Sequence, residues 1–328
     1  GRHRRTGAAG GPRGGVVTPL HVSARQLGTL AGLAGLCILL TILTPHFLTV
    51  SNLLNVLEQT SINAIVAVGM TFVIVSGGID LSVGSIVALA GVVLASALQQ
   101  GWPVAFAIPV ALAVGAACGL ANGLLVTAGR LPPFIATLGM MSVARGLALM
   151  WAEGRPISGF DEGFRAIATG RVAMVPASVM VMLGVYLVAH AALGWTVFGR
   201  HVYAIGGNEE ASRLSGVPVA RDKTAVYVVS GACAGLAAAV LTARLNSAQP
   251  TAGVMYELDA IAATVIGGTS LLGGQGTLGG ALVGALVMGV LRNGLNLLNV
   301  SSFFQQVVIG VVIIGAVMVD ASLKQRRG

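Results

Sequence analysis

The chain is 328 residues long, 55% hydrophobic and only 9% charged, which excludes a soluble domain, because so few polar residues cannot cover the surface of a folded chain this size. The net charge of +8 comes mainly from arginines outside the apolar runs, so it is not a nucleic-acid signal. What remains is an all-α, polytopic transmembrane helical bundle, and the 47 glycines suit it, since helices in lipid approach one another through small residues.

Residues 1–25 are basic, rich in Gly and Pro and free of acids, a composition that predicts a disordered tail. The apolar run 26–44 is read as a retained span: no small-x-small cleavage site precedes Pro45, and Leu36 before Cys37 is too large for a lipoprotein processing site. From Ser61 to Leu98 the chain is apolar except at SGGIDLSVGS, residues 76–85. A single helix of that length would reach about 57 Å, so two spans with a break at Gly77, Gly78 and Gly84 are expected. Backbone freed by such a break is tolerated at membrane depth only where it is buried in protein or faces water. Asp80 sits in the break, either capping the N–H groups of residues 82 and 83 at the start of the next span or serving as a substrate or gating group.

Residues 104–128 form a fourth span in which Ala107, Ala111, Gly115, Gly119 and Gly123 recur at strict four-residue spacing, a helix-packing ridge. Residues 129–133 make a tight turn and 134–152 a fifth span. Arg145 within it either snorkels to the far interface or pairs inside the bundle, with Glu153 as a candidate partner. The segment 153–173 reads as a polar loop carrying Arg155, Arg165 and Arg171, and 174–194 as the sixth span.

Residues 199–223 are the one long polar island. Its middle, NEEASRLSGV at 208–217, predicts a short helix: Asn208 caps it, Glu209 and Glu210 occupy the first turn, Arg213 and Leu214 follow, and Gly216 with Pro218 stops it. Spans seven, eight and ten are expected at 224–244, 257–270 and 302–319. Gly276, Gly280 and Gly284 form a second four-spaced ridge on span nine. Residues 73–91 and 264–284 echo each other, each running from an apolar stretch through a Gly-Gly break into a Gly/Ala-rich helix.

An even count of spans puts both ends of the chain on one side. With them go Arg2, Arg4, Arg5, Arg13, Arg25, Arg130, the four bases of 199–223, Lys324, Arg326 and Arg327, thirteen of the nineteen basic residues. The positive-inside rule makes that side the cytoplasm. The domain reading is therefore a basic tail at 1–25, a permease domain at 26–323 with a cytoplasmic loop at 199–223, and a short basic tail at 324–328.

The loop spacing Glu210-Ala211…Gly216, the motif GGIDLSVGS and the run PPFIATLGMMSVARGL together resemble the ribose and simple-sugar permease family of ATP-binding-cassette importers, over essentially all of 26–323. The resemblance implies a bacterial inner-membrane subunit working with a separate ATPase, an extracytoplasmic sugar-binding protein and a second permease copy. No Gly-Lys-Ser/Thr loop is present, so this chain is expected to bind no cofactor, with ATP and Mg²⁺ on the partner, and not to be an enzyme itself. The resemblance assigns ATPase coupling to Asn208, Glu209, Glu210, Ala211, Arg213, Leu214 and Gly216. The few polar groups in long apolar spans, Asn63, Asp80, Ser82, Thr137, Asn293 and Asn296, are candidates for the substrate pathway, and Arg155, Arg165 and Arg171 for docking the binding protein. Two alternatives stand beside this reading: the same machinery with a branched-chain amino acid or furanone substrate, and a secondary transporter using Asp80 as its ion site.

Overall fold

In hydrocarbon every backbone N–H and C=O has to be paired within its own segment, and the apolar runs accordingly fold as helices. The computed structural model describes residues 24–325, so the tail at 1–23 and the last three residues lie outside the described residues. Five helices come first: α1 (Ala24–Leu43), α2 (Val50–Val75), α3 (Val83–Gln99), α4 (Val104–Thr127) and α5 (Pro133–Trp151). Next are β1 (Ile157–Ser158), α6 (Glu162–Thr169), β2 (Arg171–Val172), β3 (Val175–Pro176) and α7 (Ala177–Trp195). The polar island folds as α8 (Val197–Gly207) and α9 (Glu209–Leu214), and the chain continues through α10 (Val219–Leu245), β4 (Ser247–Ala248), α11 (Tyr256–Ile266), α12 (Leu278–Leu297) and α13 (Ser302–Gln325).

Among the described residues, six helices are long and apolar enough to cross a membrane: α2, α4, α5, α7, α10 and α12. The all-α polytopic class stands. The expected eighth span, 257–270, is corrected: it is the eleven-residue α11 followed by irregular chain at 267–277. Eleven residues rise only about 16 Å, half a bilayer. The glycines from 267 onward explain the shortfall: Gly268 takes positive φ just past the C-cap Gly267 and stops α11, and Gly273 and Gly274, also at positive φ, keep the chain irregular up to α12.

The expected loop at 153–173 is also more ordered than its polarity suggests. Its α6 buries Phe164 and Ala168, and Phe164 meets Phe160 edge-on at 5.4 Å between ring centroids. Strand β1 pairs antiparallel with β4, and β2 with β3, so the segment is a folded cap on the end of the bundle opposite α9.

The core centres on α2 and α3. From Thr60 to Val75 every residue of α2 except Asn63 is buried. Along α4 the anticipated ridge is the buried face, and it meets α10 backbone to backbone. A Cβ built on Gly115 would fall on the Gly231 carbonyl, and one on Gly119 on the Tyr227 carbonyl. The second ridge likewise seats Gly280 and Gly284 of α12 on the carbonyls of Gly267 and Ala263 at α11.

The two echoing breaks, 76–82 and 267–277, touch. The Gly274 N–H donates to the Val75 carbonyl at 2.9 Å. A Cβ on Gly273 would lie 3.0 Å from the Gly77 Cα and 2.7 Å from the Gly206 carbonyl at the end of α8. The breaks and the helix leading to α9 therefore meet with no side chain between them.

Candidate functional site

At the α9 end of the bundle, the short helix forms as its sequence directs. The Asn208 side-chain oxygen accepts from the Ala211 N–H at 2.9 Å, and Gly216, at φ +83°, reverses the chain before Pro218. Glu209 braces the helix twice. It accepts from Arg213 one turn on at 2.9 Å and from Lys223 at the start of α10 at 2.8 Å. The Lys223 hydrogen bond, with the charges of Lys223 and Arg213, holds the Glu209 carboxyl below its ordinary range against the opposing pull of burial. The sign follows: this brace is at full strength above the ordinary carboxylate range and is lost as pH falls through the depressed value.

The neighbouring α8 is tied to α10 by His201 Nδ1 against Asp222 at 2.6 Å. Glu210, Ala211, Arg213 and Leu214 face outward, and Leu214 is 82% exposed. Beside α9, a cleft of about 750 Å³ runs between the α4–α5 turn and the start of α10, with Arg130, Arg213, Arg221 and Lys223 on its walls. The arrangement presents one large apolar side chain on a rigid, capped and charged knob.

The six candidate pathway residues divide into separate groups. Asp80 and Ser82 belong to a wholly buried network. Asp80 Oδ1 accepts from the Ser82 N–H at 3.0 Å and the Ser82 hydroxyl at 2.6 Å, and Oδ2 accepts from Ser230 of α10 at 2.8 Å. Asn122 of α4 donates to Ser82 at 2.8 Å. Asp80 thus takes the N–H of residue 82 as expected but not that of 83; Ser82 is itself the N-cap of α3, so the bond closes a turn just before the helix, and the second carboxylate oxygen reaches across to α10. Ser230 and Asn122 were missed; the signal available for Asn122 was an amide within a helix of small apolar residues. Replacing Asp80 by Asn, which keeps an acceptor for the N–H, is expected to retain most of the folded protein in a detergent melting assay. Asp80→Leu strands a buried N–H, at about 1–3 kcal/mol, and should melt clearly lower.

Thr137 is buried and bonds back to the Pro133 carbonyl at 2.9 Å. Asn293 is paired reciprocally with Asn52 at 2.8 and 3.0 Å. Asn296 is exposed and accepts from Gln305 at 2.8 Å. Each of these three makes a hydrogen bond within the chain. Asn63, at the midpoint of α2, donates to Asp259 of α11 at 3.3 Å, and Asp259 takes two bonds from Arg292 of α12 at 2.6 and 2.7 Å. Asp259 and Arg292 were not anticipated, although charges inside apolar runs were the signal for them. Arg145 pairs inside the bundle after all, donating to the Pro250 and Ala252 carbonyls at 2.7 Å, so neither Glu153 nor the interface is its partner. Arg155, Arg165 and Arg171 all lie exposed on the folded cap.

Comparison with known proteins adds the lineage. The family described as "Branched-chain amino acid transport system / permease component" matches residues 52–317. The ribose import permease protein of Bacillus subtilis is 49% identical over 298 residues, 90% of this chain and 92% of its own. That of Escherichia coli K12 is 50% identical over 296 residues, 89% and 92% of the two chains. The D-allose transport system permease protein of the same organism is 39% identical over 297 residues, covering 90% and 91%. No solved structure matches the chain.

Proposed function

From the premise that the chain belongs to the branched-chain amino acid transport system / permease component family, we propose that it is the membrane-spanning subunit of an ATP-binding-cassette importer for ribose or a closely similar sugar. The observation that carries the sugar reading is identity of about half, over nine-tenths of both chains, to ribose import permeases. The broader family description names branched-chain amino acids, and the relatives at this level of identity favour a sugar.

The protein is a multi-pass transport subunit of the inner membrane, and an ATPase and a binding protein work with it. In our reading the chain crosses ten times, with α11 and the irregular 267–277 together making the eighth passage. Both ends and α9 then face the cytoplasm, as the distribution of bases favours, and two copies form the complex. Glu210, Ala211, Leu214 and Gly216, braced by Asn208, Glu209 and Arg213, form the seat for the ATPase; the exposed apolar knob supports this assignment. The cap bearing Arg155, Arg165 and Arg171 receives the binding protein. Exposed rim charges act mainly on encounter rate, so reversing all three to Glu should weaken docking more at low salt than at high salt, as read by surface plasmon resonance at two ionic strengths. A loss independent of salt would mean that the cap matters only for folding.

The test of the whole reading is uptake into proteoliposomes containing the permease, its ATPase and the binding protein. D-ribose should accumulate only with ATP inside the ATPase compartment, and a protonophore at clamped ATP should leave the initial rate unchanged. Collapse on adding the protonophore would return the protein to the secondary-transporter class, with Asp80 as the ion site.

A further inference from the structure

Along the first half of α2, Asn52, Asn55, Gln59 and Asn63 fall at intervals of three and four residues, which places them on one face of the helix. The stripe runs about 16 Å inward from the helix start. It grades from the exposed Asn55, which accepts from Gln59 at 2.9 Å and Arg244 at 3.4 Å, to the partly buried Asn63, and one residue further on the helix becomes wholly buried. A polar face of this length facing hydrocarbon would be costly.

At its inner end the stripe stops on the Arg292–Asp259 pair. One guanidinium nitrogen of Arg292 makes both bonds to the carboxylate. The remaining N–H groups belong to a side chain that is 35% exposed, while Asp259 is 2% exposed. Asn63 donates to the same carboxylate oxygen, Oδ2, and its own Oδ1 is buried without any hydrogen-bond partner. An unused donor and an unused acceptor thus flank a single oxygen, halfway along α2 and beside the half-length helix α11. The chemical group that answers both at once is a hydroxyl, which accepts from the guanidinium and donates to the amide oxygen. A cationic ligand would meet Arg292 and an anionic one Asp259, so a neutral polyol fits best.

We propose that the stripe lines a water-filled vestibule open to the side of α2's first residues, and that Asn63, Asp259 and Arg292 at its floor form a hydroxyl-binding subsite for a neutral sugar, the ion pair serving as its gate. The proposal rests on the sugar-importer reading and deepens it. Substrate hydroxyls replace Arg292 on Asp259 one bond at a time, so neither charged group is left without a hydrogen-bond partner as α11 and α12 separate. Such a subsite is weak by construction, since the sugar gains only what the ion pair gives up, and weak binding is what passage requires.

Two measurements test it. Asn55→Cys and Gln59→Cys, compared with the parent protein in sealed cells, should react with a membrane-impermeant thiol reagent added from outside. Protection of both, with and without nucleotide, overturns the vestibule, whether lipid or a second copy of the chain covers the stripe. In proteoliposomes with the ATPase and the binding protein, Asn63→Leu should raise the ATP consumed per D-ribose about tenfold, the loss expected of one hydrogen bond in a charged site. Arg292→Lys, which keeps the charge, should show a smaller rise than Arg292→Leu. If ATP consumption and uptake fall in proportion in all three variants, the cluster is structural and the proposal fails. If the parent itself imports no D-ribose, the sugar-importer reading fails instead, and the labelling result still decides whether the vestibule exists.

Discussion

An aspartate in place of Leu214 is expected to lower ATP-driven uptake about a hundredfold or more, while the protein remains in the membrane at normal abundance. The six-residue α9 is too short to be stable by propensity, so its shape depends on the Asn208 cap, the Glu209–Lys223 brace and the left-handed Gly216. That frame holds an 82%-exposed leucine outward, the arrangement expected of an anchor that a partner will bury. Burying a leucine is worth about 1.5–3 kcal/mol, and an unpaired carboxylate carried into the same pocket adds a penalty of its own. At 1.4 kcal/mol per factor of ten, about 3 kcal/mol gives the stated loss. Ala211→Trp should act alike by lifting the helix from its seat. Gly216→Val should do so by forcing a β-branched residue to φ +83°. Co-purification of the ATPase at normal yield with Leu214→Asp would remove the coupling assignment.

The second large effect belongs to the α4–α10 seam. A leucine at Gly119 or Gly231 has no room, because the first side-chain atom already meets opposing backbone, the Tyr227 carbonyl in one case and the Gly115 carbonyl in the other. Backbone cannot rotate aside as a side chain can, so the helices have to part. We expect loss of the monodisperse peak in detergent size-exclusion, and for Gly119→Ala a cost at the upper end of the roughly 1–3 kcal/mol seen for overpacking, or more. Gly139→Ala on α5 and Gly184→Ala on α7, where nothing lies within 4 Å, should stay within about 0.5 kcal/mol of the parent. Equal behaviour of the two pairs would show that the seam is not the constraint it looks to be.

Both effects come from features that were legible in the sequence, and the contrast with those that were not has a physical basis. The ridge 107–123 and the capped helix at 208–216 are local: period and capping chemistry are written in adjacent residues. The break around Asp80 was visible for the same reason. Its partners Ser230 and Asn122 were not, because nothing local says which helix comes to lie beside it. Thr137, Asn293 and Asn296 stand out in the sequence as polar groups in apolar runs, and the structure adds the hydrogen bonds they make, to Pro133, Asn52 and Gln305, which the sequence does not show. Asp259 and Arg292 were passed over although they are charges in such runs, since their meaning lies in a pairing between two helices. The span expected at 257–270 overruns α11 because it takes in Gly267, Gly268, Thr269 and Ser270, whose glycines and hydroxyls are the stop signal of the helix and no part of it.

The shortness of α11 also bears on how the chain gets into the membrane. Its eleven residues include Glu257 and Asp259, and an acid at the centre of a membrane helix disfavours insertion by roughly 2.5–3.5 kcal/mol. Emerging from the ribosome, α11 has neither the length nor the hydrophobicity to partition by itself. The arginine that neutralises Asp259 is made thirty-three residues later, on α12. The segment is therefore expected to enter the bilayer as part of a hairpin with α12, which makes 256–297 a single unit of biogenesis.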